Sequence, residues 1–281
     1  MNGIMRENRN LMKCLVTGYK GFIGKNLVSL LKEEGHTVIG LEINDVKGFE
    51  KSSDCDRAIR ACDIILHQGA ITDTTCNDIN HMFYYNYVFS KYLVDRAVIN
   101  EQKVIFASSA SIYGVDGWPT SVYAWSKKCA EDYGVERLGN RFVSLRYFNV
   151  YGPGEEHKGK MASVACQAYG ESEFKLFPKK PKRDFVYVKD VALANLVALD
   201  AEGGVFDVGT GTSKSFEDVL NLLEVEYTYC GKKRIPGWYQ FYTKADKKRM
   251  LPNWRPDYDL EKGMSEYKNY LDKHNCLKRM L

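Results

Sequence analysis

Three glycines, Gly18, Gly21 and Gly24, lie between an apolar strand and an amphipathic helix, and this arrangement restricts the possible folds more than any other feature of the chain. The first glycine permits a tight turn, the second lets backbone N–H groups approach a phosphate, and the third lets the helix pack closely against the strand. The flanking residues 13–17 and 22–32 have the apolar patterns of a buried strand and an amphipathic helix. The sequence therefore predicts a dinucleotide-binding unit near the start of the chain.

A second predicted strand, residues 37–41, ends at Glu42, which lies 24 positions after Gly18. A carboxylate at this end of the strand is suited to binding the ribose hydroxyls of an adenosine. Its charge repels a 2′-phosphate, although Lys47 could offset that repulsion. The alternative is a structural glycine turn followed by a surface glutamate. Together these features predict a nicotinamide cofactor, NAD or NADP, with NAD favoured.

Strand-like apolar runs alternate with helix-length segments through about residue 150. This alternation is typical of an α/β protein with a Rossmann-type, doubly wound parallel sheet. The predicted strands cover residues 13–17, 37–41, 63–68, 104–108 and 142–147, and the predicted helices cover 22–34, 80–99 and 122–138. Two further strands, 184–189 and 204–208, are expected to return to the same sheet around a helix at 191–201.

The character of the sequence changes after Pro153, where polar and lysine-containing residues replace the alternating pattern. We therefore expect residues 12–150 and about 184–210 to form the dinucleotide-binding domain. A smaller, discontinuous substrate-binding lobe is expected to comprise about 151–183 and 211–281. Residues 1–11 are expected to be a disordered leader.

The composition excludes several functional classes. The net charge of +4 is too small to indicate binding to DNA or RNA, and no apolar run is long enough to cross a membrane. The eight cysteines are dispersed, without a Cys-x-x-Cys pair or a cluster with histidine, so no metal site is predicted. Reduced thiols of this kind are typical of a cytoplasmic protein.

A serine pair and a tyrosine–lysine pair indicate the chemistry. Tyr123 and Lys127 share one face of a predicted helix, shortly after a strand that ends at Ser108 and Ser109, and ligands bind at such strand ends in open α/β sheets. A lysine ammonium can lower the pKa of a nearby tyrosine, and a serine hydroxyl can orient a substrate oxygen. The Tyr-x-x-x-Lys spacing occurs four times in the chain, and only this occurrence has this setting.

An ordered set of motifs extends this interpretation along the chain. The set consists of the glycine turn, His67-Gln-Gly-Ala70, Asn86, Ser108-Ser109, Tyr123 with Lys127, Arg146-Tyr-Phe-Asn-Val-Tyr-Gly-Pro153 and Arg183-Asp-Phe-Val-Tyr-Val-Lys-Asp190. It resembles the extended short-chain dehydrogenases/reductases, the NAD-dependent epimerase/dehydratase family. Within that superfamily, His157-Lys-Gly-Lys-Met-Ala-Ser-Val-Ala165 and the motifs after it closely resemble the ADP-glyceromanno-heptose 6-epimerases.

That family is understood to invert the C6″ stereocentre of an ADP-heptose by transient oxidation, using tightly held NAD⁺ or NADP⁺. The resemblance therefore implies a nucleotide-sugar epimerase with acid/base groups on opposite faces of the reacting carbon. It assigns these roles to Tyr123, supported by Lys127 and Ser109, and to Lys158. A solvated loop lysine is the alternative for Lys158. The resemblance also implies a homo-oligomer.

The resemblance further implies the binding residues. For the cofactor these are Gly18, Gly21, Phe22, Ile23, Gly24, Glu42, Gln68, Gly69, Ala70, Thr72, Asn86, Tyr123, Lys127 and Val150. For the nucleotide-diphosphate sugar they are Asn149, Lys160, Gln167, Phe177, Arg183 and Tyr239. Arg183 is expected to pair with the diphosphate, whereas Asn86 could instead be a structural amide that satisfies backbone groups.

The chain departs from the heptose-epimerase pattern around the predicted sugar site. The interval from Gly114 to Tyr123 and the segment 167–177 are short, Lys160 replaces a small hydroxyl residue, and Gln167 stands where a histidine is expected. These differences leave two alternatives open. One is another nucleotide-sugar 4-epimerase or a dehydratase/reductase of the same superfamily, and the other is a non-catalytic nucleotide-binding protein.

Overall fold

The computed structural model describes residues 10–42, 48–49, 52–178, 180–231 and 239–279. Lys47 and residues 1–9 of the predicted leader lie outside the described residues. The strands within these ranges are β1 Lys13–Thr17, β2 Thr37–Leu41, β3 Ile64–His67, β4 Lys103–Ser109, β5 Phe142–Tyr147, β6 Asn149–Tyr151, β7 Glu173–Leu176, β8 Lys182–Tyr187, β9 Gly204–Val208, β10 Ser213–Ser215 and β11 Glu226–Tyr229.

The main sheet has the strand order β2-β1-β3-β4-β5-β9, and every pair in it is parallel. Because the strands are parallel, their carboxyl ends meet at one edge of the sheet, where the loops after β1, β2, β3 and β4 lie together. The predicted α/β class with a Rossmann-type, doubly wound parallel sheet is confirmed.

The α-helices within the described ranges are α1 Phe22–Glu33, α2 Ser53–Arg60, α3 Ile79–Phe83, α4 Phe89–Ile99, α5 Val122–Leu138, α6 Val164–Ala168, α7 Val188–Ala198, α8 Phe216–Leu223 and α9 Leu260–Arg279, with a π turn at Tyr84–Val88 between α3 and α4. Five of them cover the two faces of the main sheet. One face is buried by α1 and α7, and the other by α2, α4 and α5. No helix in the described part of the chain is long and apolar enough to cross a membrane.

A second group of elements lies beside the main sheet. It contains a three-stranded sheet of order β10-β8-β6, a parallel pair formed by β11 and β7, and the helices α6, α8 and α9. The strand predicted at 184–189 therefore does not return to the main sheet, and that prediction is wrong, whereas 204–208 does lie beside β5 as β9. The apolar pattern of 184–189 indicates a buried strand but carries no information about its partners.

The segment around 245–254 also departs from the predicted division. Ala245, Met250, Leu251 and Trp254 pack into the core of the main sheet with α1 and α7, although 211–281 was expected to belong to the smaller lobe. The indole Nε1 of Trp254 donates a 3.1 Å hydrogen bond to the carbonyl oxygen of Asp190 in α7. We therefore propose a division in which 245–254 belongs to the dinucleotide-binding unit.

Asp184 connects β8 to two segments that follow it in the chain. Its side chain is fully buried, and burial raises the pKa of its carboxyl group. Hydrogen bonds from Thr210, Gly211 and Ala245 oppose this increase. One carboxylate oxygen accepts hydrogen bonds from the backbone N and the hydroxyl of Thr210, both 2.7 Å long. The other accepts from the backbone N of Gly211 at 2.8 Å and of Ala245 at 3.0 Å. One side chain thus fixes three segments.

Replacing Asp184 with alanine is expected to lower the free energy of unfolding by about 3 kcal/mol, because four donors, two of them in buried hydrogen bonds, lose their acceptor. Urea unfolding followed by circular dichroism measures the difference. The control is Asp132→Ala, which removes a carboxylate that is 59% exposed and should cost less than about 1 kcal/mol. Equal effects of the two substitutions would contradict the role given to Asp184.

Candidate active site

A cleft at the carboxyl edge of the main sheet contains the glycine turn. Its cavity of about 250 Å³ is lined by ten of the residues predicted to bind the cofactor, which are Gly18, Gly21, Phe22, Ile23, Gly24, Glu42, Gln68, Gly69, Ala70 and Thr72. Tyr85, Phe89 and His157 also line it, and the sequence analysis gave them no cofactor role. Tyr85 and Phe89 are four residues apart on one helical segment, and this spacing is the sequence feature that could have indicated that they face the same space.

The glycines are required by close backbone contacts. Gly18 has a φ of +64°, and a Cβ on it would lie 2.7 Å from the Cα of Gly69. A Cβ on Gly24 would lie 2.0 Å from the carbonyl oxygen of Gly18. The helix α1 begins after Gly21 with no side-chain cap and no acidic residue in its first turn. Because N–H groups at a helix N-terminus bind phosphate, this cleft fits the diphosphate of a dinucleotide.

Glu42 lies at the rim of the same cleft, directly after β2. Its Oε1 accepts a 2.6 Å hydrogen bond from the backbone N of Lys20 in the glycine turn. The carboxylate is therefore held against the turn at the position where a ribose would be bound.

A larger cavity of about 700 Å³ adjoins the cleft, and Phe22, Ile23, Thr72 and Lys158 line both spaces. All six residues predicted to bind the sugar nucleotide line this cavity, namely Asn149, Lys160, Gln167, Phe177, Arg183 and Tyr239. Ser109, Tyr123 and Val150 also line its wall. The structure thus gathers the predicted substrate residues and most of the predicted catalytic residues around one space of ordinary ligand-binding size.

Ser109 and Tyr123 meet at the junction of β4 and α5. Ser121 begins α5 by accepting a hydrogen bond from the backbone N of Ala124 at 3.1 Å, which places Tyr123 in the first turn. Burial raises the pKa of Tyr123, and its hydrogen bond with Ser109 opposes this increase. A serine hydroxyl that stabilises a phenolate is the arrangement needed to exchange a proton with a substrate hydroxyl.

Lys127 lies one turn below Tyr123 and lines neither cavity. Its side chain is 2% exposed, and its Nζ lies 4.4 Å from the ring centroid of Phe106. Burial lowers the pKa of Lys127 to about 7, with a smaller opposing effect from Glu131. The sequence predicts that the lysine charge lowers the pKa of Tyr123. The structure differs because Lys127 is so deeply buried that its own charge is costly.

His67, at the end of β3, is 1% exposed and anchors a buried chain of hydrogen bonds that the sequence analysis missed. Burial, with help from the charge of Lys127, lowers the pKa of His67 to about 3, so the ring is neutral. The hydroxyl of Ser90 donates to the carbonyl oxygen of Asn86 at 2.6 Å, so it must accept from Nε2 of His67 at 2.8 Å. His67 Nδ1 is consequently unprotonated.

The other side of His67 leads to the glycine turn. Because its Nδ1 can only accept, the hydroxyl of Thr17 donates to it at 2.6 Å. The Thr17 hydroxyl oxygen in turn accepts from the backbone N of Gly69 at 3.0 Å. The imidazole therefore connects the turns after β1 and β3 to helix α4. The available signal was the motif His67-Gln-Gly-Ala70, whose histidine directly precedes predicted cofactor residues.

Asn86 lies in the π turn beneath the cavities and is 1% exposed. Its side chain binds the backbone N of Ile71 at 2.7 Å, the carbonyl oxygen of Ile71 at 3.0 Å and the hydroxyl of Ser126 at 3.1 Å. Ser126 donates to the carbonyl oxygen of Tyr123 at 2.8 Å. These contacts fit the structural alternative for Asn86, and its cofactor role stays a prediction.

Lys158 lies on a loop that follows β6 and borders both cavities. Its Nζ lies 5.5 Å from the ring centroid of Phe22, at the start of α1. Burial lowers the pKa of Lys158, and the charge of Glu155 partly restores it. The alternative of a fully solvated loop lysine does not agree with this partly buried position.

Arg183 is a buried cation in the wall of the larger cavity. Its side chain is 8% exposed, its NH1 donates to the carbonyl oxygen of Lys182 at 3.0 Å, and its guanidinium carbon lies 5.2 Å from the ring centroid of Tyr239. Among the described residues, no carboxylate lies within ion-pair distance of it. A buried guanidinium without a carboxylate partner is suited to an anionic ligand.

The charges around the larger cavity have one sign. Lys158, Lys160, Lys175 and Arg183 line it, and no aspartate or glutamate among the described residues does. Gln167 donates to the carbonyl oxygens of Lys160 at 3.3 Å and Ala162 at 2.7 Å, so it holds the segment that carries Lys160. No group of side chains suited to holding a metal ion occurs within the described ranges. The cavity therefore offers an electrostatic site for an anion.

Comparisons with known proteins agree with this geometry. The model of the NAD-dependent epimerase/dehydratase family matches residues 14–209. The chain is 32% identical to the ADP-L-glycero-D-manno-heptose-6-epimerase of Cupriavidus pinatubonensis, over 92% of this chain and 98% of that protein. The crystal structure of the enzyme of that name from Helicobacter pylori has a TM-score of 0.80 at 30% identity, covering 93% of this chain and 96% of that one. The UDP-glucose 4-epimerase of Thermotoga maritima has a TM-score of 0.81 at 25% identity, covering 94% and 99%.

Replacing Lys127 with methionine is expected to stabilise the protein. The pKa of Lys127 is about 7 in the folded protein against an ordinary lysine value of 10.5, so the unfolded chain binds the extra proton between these values. The cost of burying the charge is therefore fully present below about pH 7 and disappears as the pH rises toward about 10.5. At about pH 6.5 the substitution should raise the free energy of unfolding by roughly 2 kcal/mol.

Urea unfolding of both proteins at about pH 6.5 and about pH 9 measures this difference, which should shrink at the higher pH. Lys128→Met is the control, because Lys128 is a neighbouring surface lysine that pairs with Asp132 at 2.5 Å. Destabilisation by Lys127→Met at the lower pH, or an equal effect at both pH values, would contradict the assigned burial cost.

Proposed function

The chain belongs to the NAD-dependent epimerase/dehydratase family, and on that premise we propose that it is an isomerase that inverts C6″ of ADP-D-glycero-D-manno-heptose. The observation that carries the proposal is the position of Lys158. It borders both the cofactor cleft and the cavity whose wall includes Ser109 and Tyr123, so two separate proton-exchanging groups reach one space. Two such groups on opposite sides of the reacting carbon are useful when a carbonyl intermediate turns over before the hydride returns to its other face.

The diphosphate of the substrate is assigned to Arg183. This guanidinium is buried and donates no hydrogen bond to a carboxylate among the described residues. Its planar set of donors matches phosphate oxygens. The ring of Tyr239, whose centroid lies 5.2 Å from the guanidinium carbon, lines the same wall of the cavity. Binding energy gained here would hold the sugar in place while the reacting carbon changes configuration.

The acid/base roles are assigned to Tyr123 and Lys158. The chemistry that a bound nicotinamide cofactor supplies is reversible hydride transfer from the substrate. Tyr123, oriented by Ser109, holds or releases the proton of the reacting hydroxyl on one side, and the ammonium of Lys158 does so on the other. Lys127 supports Tyr123 from below, and a protonated Lys127 would favour the phenolate form.

The sugar itself is assigned to the part of the cavity lined by Asn149, Lys160, Gln167 and Phe177. Thr243 donates to Asn149 Oδ1 at 3.5 Å and so helps to orient this amide. The choice of an ADP-heptose is supported by the names of relatives that are about 30% identical over nearly the whole chain. The Thermotoga maritima structure, whose likeness covers 94% of the chain at 25% identity, favours a UDP-sugar 4-epimerase as the second candidate.

We also propose NAD as the preferred cofactor, self-association, and a location in the cytoplasm. Glu42 supports NAD because its carboxylate lies where a 2′-phosphate would be placed. The exposed Trp125 and Val135 on α5 support self-association through that face. No disulfide joins the cysteines whose side chains are described, which supports a reducing compartment.

Incubation of the protein with ADP-D-glycero-D-manno-heptose and NAD⁺ in D₂O, followed by proton NMR, tests the reaction. We expect inversion at C6″ without deuterium at that carbon, because the hydride is returned directly. Tyr123→Phe and Lys158→Met should each lower the turnover rate by about 100-fold or more. An unchanged spectrum of the heptose, combined with interconversion of UDP-glucose and UDP-galactose, would instead select the second candidate.

The matched controls are Tyr87→Phe and Lys25→Met. Tyr87 belongs to another Tyr-x-x-x-Lys pair, and Lys25 is an exposed lysine of α1, and neither residue lines the two cavities. Both variants should retain turnover within about twofold of the original protein. A non-catalytic nucleotide-binding protein would bind cofactor and leave every sugar unchanged.

Glu42→Gln is expected to raise the affinity for NADP⁺ relative to NAD⁺ by about tenfold, because the repelling charge is removed while an oxygen remains for Lys20. Fluorescence titration with each cofactor measures the ratio. Glu33→Gln changes the same charge on an exposed surface of α1 and serves as the control. Tighter binding of NADP⁺ than of NAD⁺ by the unaltered protein would contradict the proposed preference.

A further inference from the structure

The loop that carries Lys158 is closed by a single buried carboxylate. Glu155 is fully buried, and its Oε1 accepts from the backbone N of Gly152 at 3.1 Å and from the hydroxyl of Ser163 at 2.7 Å. Its Oε2 accepts from the backbone N of Ser163 at 2.6 Å. Both ends of the segment 152–163 are therefore held at one side chain, with Lys158 near the middle.

The chain between these ends is folded tightly around Glu155. The backbone N of Lys158 donates to the carbonyl oxygen of Glu155 at 2.9 Å, and the backbone N of Ala162 donates to that of Gly159 at 3.0 Å. Gly152, Gly154 and Gly159 have positive φ values of 138°, 96° and 53°. The loop is also fixed to α1, because Asn26 Nδ2 donates to the carbonyl oxygen of Pro153 at 2.9 Å. Its conformation is thus specified at many points.

The groups around Glu155 favour its ionised form. Two of its three hydrogen-bond partners are backbone N–H groups, which can only donate, and the Ser163 hydroxyl donates to it as well. No lysine or arginine in the described residues lies within ion-pair distance of it. The cation that acts most on its charge is Lys158, and burial otherwise raises the pKa of Glu155. A buried carboxylate of this kind is uncommon unless it has a role.

We propose that Glu155 is the positioning residue for Lys158, because its carboxylate closes the loop that carries Lys158 and holds a negative charge beside the ammonium. This inference rests on the proposed function, in which Lys158 exchanges a proton with the substrate. Without the carboxylate, the loop would lose the hydrogen bonds that hold Gly152 and Ser163, and Lys158 would lose a compensating charge while it stays partly buried.

The sign of the charge effect follows from the groups that face each partner. Lys158 faces Glu155, Cys166 and the ring of Phe22, and His157 precedes it in the chain. Glu155 faces Ser163, Gly152 and Lys158, and its charge also acts on Tyr267 from α9. A negative charge favours the ammonium form, so removing it lowers the pKa of Lys158.

Competitive labelling of lysines with acetic anhydride over a range of pH values tests this inference, with peptide mass spectrometry reporting Lys158. In Glu155→Gln the apparent pKa of Lys158 should fall by roughly one unit. Glu156→Gln is the matched control, since Glu156 is the exposed neighbour, and it should move that pKa by less than about 0.3 units. Labelling needs no turnover, so it is independent of the substrate.

Hydrogen exchange of the amides in 152–163 distinguishes the closure of the loop by Glu155 from the effect of its charge on Lys158. Glu155→Asp keeps the charge but shortens the reach to Ser163, so amide exchange should accelerate by about tenfold while the pKa of Lys158 changes little. This variant also serves if the glutamine variant does not fold. An unchanged pKa of Lys158 in Glu155→Gln, or unchanged exchange in Glu155→Asp, would overturn the inference. A shifted pKa in a protein that epimerises no sugar nucleotide would support the inference and reject the proposed function.

Discussion

The close contact between the turns after β1 and β3 is the constraint on which the site depends. Gly18 and Gly69 lie so near each other that a side chain on Gly18 would overlap the backbone of Gly69. The buried chain through Thr17, His67 and Ser90 ties the same turns to the helix behind them. Since Asn86 continues this contact to Ser126 and the carbonyl of Tyr123, the cofactor cleft and the catalytic helix are one connected unit.

The site concentrates positive charge where the protein can least easily solvate it. Lys127 is buried below the cavity, Arg183 is buried in its wall, and Lys158 is partly buried between the two spaces. Each position weakens the folded state, because burial disfavours a charged group that has no ion partner. At Lys158 and Arg183, which line the cavity, an anionic ligand would supply the missing counter-charge. Stability and ligand affinity are thus opposed in these two side chains.

Patterns local in the chain predicted most of the fold. The alternation of strands and helices through residue 147, the glycine turn and the position of Tyr123 after β4 all depend on neighbouring residues, and the structure has these elements at or within two residues of the predicted bounds. The partners of β8 and the packing of 245–254 depend on contacts between distant segments, which periodicity does not contain. Those two features could not be predicted in this way.

The site shows the same limit at the level of single residues. Residue type and order were enough to gather Ser109, Tyr123 and Arg183 around one cavity. The degree of burial of Lys127 and the tautomer of His67 follow from three-dimensional contacts, so no motif could reveal them. The closure of the 152–163 loop by Glu155 is of the same kind, because two of its three partners are backbone groups that every sequence has.

The parallel pair formed by β7 and β11 has a consequence for how the protein is made. Glu173 pairs with Glu226 and Leu176 with Tyr229, so the two strands are separated by about fifty residues of chain that include β8, α7 and β9. The partner of β7 is thus synthesised only after the last strand of the main sheet. A nascent chain can complete the parallel sheet on the ribosome while β7 still has an open edge, so the order of synthesis favours assembly of the main sheet before the smaller group of elements.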